Sequence, residues 1–254
     1  MSSSTSQEPS QRVLVFGASG GIGSALCELL HRRGARLAVA GRDEEKLRAL
    51  SQSHEAVPLP GDVRDADTVA ATFQGAQEAL GGLDAVVQLV GSVLLKPAHL
   101  IDDASFEDCL QTNLWSAFRV LRESAKAMRK GGSVCLMSTV AVQTGLPNHE
   151  AISAAKGGVE GLVRAAAASY APRKLRVNAV APGLVETPMT SFLTERAEAR
   201  AESEDLHPLG RLGQPEEIAR AIDFLIQPDS DWVTGQILHV DGGMGALRHR
   251  RRKR

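Results

Sequence analysis

The chain has 254 residues, 43% apolar and 23% charged, which suits one sizeable buried core and excludes a largely disordered chain. No run reaches the roughly 18 to 20 continuous apolar residues of a membrane helix, so no membrane association is expected. The net charge of −1 hides a basic end. Arg248, Arg250, Arg251, Arg252, Lys253 and Arg254 leave a body of 23 basic against 30 acidic residues, which speaks against nucleic-acid binding by the folded part.

Apolar runs alternate with longer amphipathic stretches along the chain. Residues 13–16 form a first strand, and 22–33 a helix with Leu26, Leu29 and Leu30 on one face. A second strand at 36–40 is followed by a charged helix at 44–51. Further strands are expected at 56–59, 85–90, 134–137, 177–180 and 237–240, with helical stretches between them. Strict β/α alternation implies a parallel sheet covered by helices on both faces. With no internal repeat or long linker, a single domain is expected at residues 12–245. Residues 1–11 read as a disordered Ser-rich tail and 246–254 as a basic tail. That tail reads as a solvated end first, with a nuclear address or a phosphate-binding arm as the alternatives.

Residues 1–11 have neither an apolar core nor an arginine, so no secretory or mitochondrial leader is expected. Cys27, Cys109 and Cys135 share no metal-ligand spacing and would leave one unpaired, so they read as reduced, buried thiols of a cytoplasmic protein. No metal site is expected.

The first strand runs into Gly17-Ala18-Ser19-Gly20-Gly21-Ile22-Gly23. Gly17 suits the tight turn, Gly21 a close approach of backbone to phosphate, and Gly23 the packing of helix on strand. Free amides at the helix start then favour the pyrophosphate of a dinucleotide. The tip of the second strand discriminates between cofactors. A carboxylate there suits the ribose 2′-hydroxyl of NAD(H), and a cation suits the 2′-phosphate of NADP(H). Gly41-Arg42 supplies the cation, and Asp43, two residues late, reads as the cap of the next helix. NADP(H) is expected rather than NAD(H), with Arg42 as an ordinary surface arginine the alternative.

These motifs, with others further along, give the chain a resemblance to the short-chain dehydrogenase/reductase family across residues 13–244. The others are Asp62-Val63, Asn113, the stretch from Asn178 through Pro182, Gly183, Val185 and Thr187, and Val240-Asp241-Gly242-Gly243. The resemblance implies a doubly wound, Rossmann-type sheet of seven parallel strands in the order 3-2-1-4-5-6-7. It also implies adenine contacts from Asp62 and Val63, nicotinamide-side contacts from Gly91, Lys156, Pro182, Gly183, Val185 and Thr187, and a small-molecule substrate. A homodimer or homotetramer is implied through the helix at 151–171, which is rich in glycine and alanine.

The departures from the family pattern bear on chemistry. The catalytic tyrosine, four residues before Lys156, is Ile152, and the serine thirteen residues further upstream is Thr139, beside Ser138. The Asn-Asn-Ala-Gly motif reads Gln88-Leu89-Val90-Gly91, and the threonine before the glycine turn is Phe16. A tyrosine of this kind protonates the carbonyl oxygen, worth about 10² to 10⁴ in rate, and isoleucine has no proton to give. Tyr170 lies fourteen residues beyond Lys156, roughly 21 Å along a helix, and cannot substitute for it.

His149 stands seven residues before Lys156. If the helix reaches back that far, the two share a face to within about 20°, so His149 is a candidate acid. Its alternative role is the polar start of the helix. Thr139 or Ser138 is expected to polarise a substrate oxygen. Asn113 either anchors a water beside Lys156 or serves as a kink residue of its helix. The sequence therefore leaves two functions open. One is an NADP(H)-dependent reductase of a small carbonyl or conjugated substrate with an altered proton donor, and the other is a nucleotide-binding protein with reduced catalysis.

Overall fold

Side chains alternate strictly along the first strand. Val13 and Val15 enter one buried cluster, and Leu14 and Phe16 enter another on the opposite side of the sheet. The computed structural model describes residues 10–248. Its strands are β1 (Arg12–Phe16), β2 (Arg36–Gly41), β3 (Val57–Pro60), β4 (Ala85–Gln88), β5 (Gly132–Met137), β6 (Leu175–Pro182) and β7 (Ile237–Val240). All pair in parallel, in the order 3-2-1-4-5-6-7. The expected doubly wound sheet is the one observed.

The helices are α1 (Gly21–Arg32), α2 (Glu44–His54), α3 (Ala66–Leu80), α4 (Asp103–Leu110), α5 (Ser116–Ala127), α6 (Ala141–Thr144), α7 (Glu150–Tyr170), α8 (Ala197–Asp205) and α9 (Pro215–Ile226). Leu26 and Leu30 of α1, Leu47 of α2 and Ile218, Ile222 and Leu225 of α9 cover the face that carries Val13 and Val15. Phe73 of α3, Val120 of α5 and Val159 and Val163 of α7 cover the other face. A chain whose strands are apolar on both sides needs this double cover. β1 lies between β2 and β4, so the connections leave it in opposite directions. A crevice opens there at the carboxyl ends of β1 and β4.

Local chemistry sets the boundaries. The strand expected at 85–90 stops at Gln88, whose amide turns inward. Its Nε2 donates to Ser116 Oγ at 2.8 Å, and its Oε1 accepts the Val90 amide at 2.7 Å. That amide is thus withdrawn from sheet pairing. Helix α2 runs on to His54, where Glu55 closes it at a left-handed φ of 51°. Asp43 caps α2 as expected, accepting the Lys46 amide at 3.1 Å. The three cysteines are free and buried. No helix among the described residues is long and apolar enough to cross a membrane. Residues 1–9 and 249–254, which hold most of both expected tails, lie outside the described residues.

The turn after β1 admits no side chain at its end. A Cβ on Gly23 would lie 2.2 Å from the Gly17 carbonyl oxygen and 2.7 Å from that of Ala18. Gly23→Ala therefore forces the turn apart, and urea unfolding should show a loss of about 1 to 3 kcal/mol. Unchanged stability would mean that the turn yields freely.

Candidate functional site

The glycine turn forms one wall of the crevice. Gly17 has a φ of +78° and donates its amide to the Ala40 carbonyl at 2.8 Å, which pins the turn to β2. Gly20 caps α1 without a side chain, so the first amides of the helix face outward, as an anion site requires. A Cβ on Gly21 would meet Thr187 at 3.0 Å. β6 ends at Pro182, and the loop after it, with Gly183, Val185 and Thr187, comes down on the turn at Thr187 with only the width of a glycine between them.

The second rim lies at the ends of β2 and β3. The Gly61 amide donates to the Gly41 carbonyl at 2.9 Å, and Ser19 Oγ lies 3.6 Å from where a Cβ on Gly41 would stand. Arg42 is exposed beside this point. Hydrogen bonds from Arg64, as short as 2.8 Å, chiefly hold the Asp62 carboxyl below its usual range, and the charge of Arg42 adds to them. Arg64 also reaches Asp108 at 3.3 Å. The sequence reading missed Arg64, although it follows Asp62-Val63 directly at the tip of a strand. Val63 itself is buried in the core.

The centre of the site is built around a break in helical geometry. Between α4 and α5 the chain makes a π-helical turn, Gln111–Trp115, with Asn113 at its middle and only 1% exposed. Such turns free backbone groups from the ordinary ladder. Here Asn113 Nδ2 donates to the Cys109 carbonyl and to Ser92 Oγ, both at 3.0 Å, while its Oδ1 accepts the Ser92 amide at 3.2 Å. Asn113 thus sits at the middle of the break between α4 and α5, bonded to Cys109 of α4 and to Ser92. It also faces Gly91: a Cβ there would stand 2.9 Å from Asn113 Oδ1 and 3.5 Å from Lys156 Nζ. Gly91, Asn113 and Lys156 thus meet just beyond the end of β4.

Lys156 is 5% exposed. Burial pushes its ammonium down to about 8, opposed only by the nearby Cys109, and no carboxylate offsets the loss of water. Ile152, also 5% exposed, sits with Cys109, Ala151 and Ala155 in a small apolar cluster against Leu94, Ile101, Leu110 and Leu114. Position 152, four residues before Lys156, is thus hydrocarbon in an apolar cluster against the loop that follows β4.

Two expected residues are placed differently. Helix α7 starts at Glu150, and His149 is its cap, with φ −106° and ψ 15°. His149 thus stands one residue outside the helix on which the sequence places a face shared with Lys156. The ring of His149 donates instead from Nδ1 to the Pro147 carbonyl at 2.8 Å. Ser138 is committed elsewhere, its hydroxyl donating to Glu160 Oε1 at 2.9 Å. Thr139 is half-buried, and its Oγ1 accepts the Ala141 amide at 3.3 Å while keeping its own proton to donate. Tyr170 ends α7, with the Arg173 guanidinium 5.3 Å from its ring centre.

The family model described as enoyl-(acyl carrier protein) reductase matches residues 17–245. The chain belongs to the short-chain dehydrogenase/reductase family. It is 36% identical to cis-4-hydroxycyclohexanecarboxylate dehydrogenase of Sinomonas cyclohexanicum, over 92% of this chain and 96% of that one. It is 34% identical to a 3-oxoacyl-(acyl-carrier-protein) reductase of Vibrio harveyi, over 91% and 96%. Among solved structures it superposes on a short-chain type dehydrogenase/reductase from Mycobacterium ulcerans with a TM-score of 0.89, at 28% identity over 94% of this chain and 92% of that one. A variant of actinorhodin polyketide ketoreductase with NADPH gives a TM-score of 0.87 at 32% identity, over 94% and 98%. The chain is thus an oxidoreductase-type member of a family whose relatives bind nicotinamide cofactors.

The buried ammonium has a measurable signature. Below about pH 8 folded and unfolded chains both carry the Lys156 proton, and the burial penalty is fully present. Between about 8 and the ordinary lysine value of 10.5 the folded chain has released the proton and the unfolded chain has not, so wild-type stability rises with pH. Lys156→Met should therefore melt above wild type at pH 7, with the difference shrinking by pH 10. A lower melting temperature at pH 7 would mean that Lys156 has a stabilising partner.

Proposed function

We propose that this protein is an NADP(H)-dependent oxidoreductase of small carbonyl or conjugated substrates, with Lys156 and Asn113 taking over proton delivery from the missing tyrosine. The observation that carries this reading is the meeting of Gly91, Asn113 and Lys156 beyond β4, within a site where position 152 is isoleucine.

The residues present fit a dinucleotide. The turn formed by Gly17, Ser19, Gly20, Gly21, Ile22 and Gly23 offers glycine-width space and uncapped amides for a pyrophosphate. Arg42 suits a 2′-phosphate, Asp62 and Val63 the adenine, and Pro182, Gly183, Val185 and Thr187 the nicotinamide side. NADPH accompanies the related polyketide ketoreductase. When bound, the cofactor supplies or accepts the hydride. Thr139 donates a hydrogen bond that polarises the substrate oxygen. Lys156 holds a proton that burial has made easier to release, and Asn113 Oδ1 beside it suits a water that would relay the proton.

Exposed small residues on α7 (Gly161, Ala165 and Ala168), exposed Phe118 on α5 and exposed Trp115 just before it support a homodimer or homotetramer built across these helices. Three buried free thiols suit a reducing, cytoplasmic setting. A second reading, nucleotide binding without turnover, is favoured by the packing of Leu94 and Ile101 over Ile152.

Calorimetric titration tests the cofactor reading. NADPH should bind more tightly than NADH by the value of a charge-assisted hydrogen bond, about 1.5 to 3 kcal/mol, and Arg42→Ala should abolish the difference. Equal affinities or a preference for NADH would refute the assignment to NADP(H). NADPH binding with no oxidation across a panel of ketones, quinones and enones would favour the second reading.

A further inference from the structure

The segment between α8 and α9 crosses the outside of the β6 loop, and His207 stands at its start. Its ring is 2% exposed. Nδ1 bonds the Ser203 carbonyl at 2.7 Å, and Nε2 accepts the Leu184 amide at 3.1 Å. A carbonyl can only accept and an amide can only donate, so the two bonds assign one tautomer, with the proton on Nδ1 and a bare Nε2. A Cβ on Gly183 would come within 2.6 Å of that Nε2, so glycine is required where the loop passes the ring.

The same segment ties the loop at a second place. The Gly213 amide donates to the Leu184 carbonyl, and the Glu186 amide donates to the Gly213 carbonyl, both at 2.9 Å. Behind the ring, the Leu209 amide donates to the Gly242 carbonyl at 3.1 Å, which anchors the segment to the end of β7. The far end of the clamped loop is Thr187, which lies against Gly21 of the glycine turn.

We propose that neutral His207, as its Nδ1–H tautomer, is the positioning residue that holds residues 183–187 against the glycine turn. This rests on the dinucleotide reading only in so far as the loop touches the cofactor. A leucine or isoleucine would fill the space but leave the Leu184 amide without an acceptor. A second proton on the ring would set two donors face to face at the same point.

The charged groups nearby are engaged elsewhere. The Asp241 carboxylate accepts the Gly243 and Gly245 amides, Arg211 pairs with Glu217, and Arg200 pairs with Glu186 and Glu204. His239 is exposed on the edge strand. Among the described residues, the bonding of the ring is therefore its own matter.

The test uses the ¹⁵N-labelled full chain with His207→Gln and His207→Leu. Long-range ¹H–¹⁵N spectra should show the His207 proton on Nδ1, and hydrogen exchange at the Leu184 amide should be slow in wild type and His207→Gln but fast in His207→Leu. NADPH affinity should fall about tenfold in His207→Leu, the equivalent of one net hydrogen bond, and stay near wild type in His207→Gln. A proton on Nε2, or Gln and Leu variants that behave alike, would overturn the proposal. If wild type binds no NADPH, the cofactor reading fails, while the tautomer and the Leu184 exchange still decide the role of His207.

Discussion

A lysine ammonium buried without a carboxylate is the constraint on which the site depends. Lys156 lies among Gly91, Asn113 and Cys109, and none of them carries a negative charge at neutral pH to repay its lost hydration. Burying an unpaired charge works against folding. Its immediate neighbours on the buried side of α7, Ile152, Ala155 and Val159, are apolar, so stability alone gives no reason for lysine at this position. Gly91 leaves space beside it, since a Cβ there would stand 3.5 Å from the ammonium nitrogen and 2.9 Å from Asn113 Oδ1 in the π turn.

In the proposed reading, isoleucine at position 152 changes what that ammonium can do. In the family pattern a phenol stands between lysine and substrate. Here Ile152 is drawn into an apolar cluster with Cys109, against Leu94 and Ile101, and the proposal assigns the proton to the lysine. The hydroxyl of Thr139 remains free to donate, because the neighbouring Ser138 has turned away to satisfy Glu160. Both hydroxyls lie just beyond the end of β5, and their hydrogen bonds distinguish them.

The fold was legible because its signals are local and repeated. Apolar residues on both faces of β1 and β2, a glycine turn leading into α1 and a capping aspartate at α2 each carry their structure in a few adjacent residues. The glycine turn and Lys156 were legible for the same reason. His149 was not, because the periodicity argument assumed a helix extending one residue further than it does, and a non-helical cap turns the ring elsewhere. The early end of β4 depends on Gln88 reaching Ser116 twenty-eight residues away, a contact that no window of sequence contains. His207 escaped notice because the bond that gives it a role comes from the Leu184 amide, twenty-three residues away in the chain.

The central claim is that Lys156, and not a histidine, delivers the proton. The most direct measurement is the pH dependence of the first turnover of NADPH with a ketone, in wild type and in His149→Phe. The account predicts a rate that falls as pH rises through about 8, with the same curve in the variant. A fall centred in the ordinary histidine range that disappears in His149→Phe would contradict it.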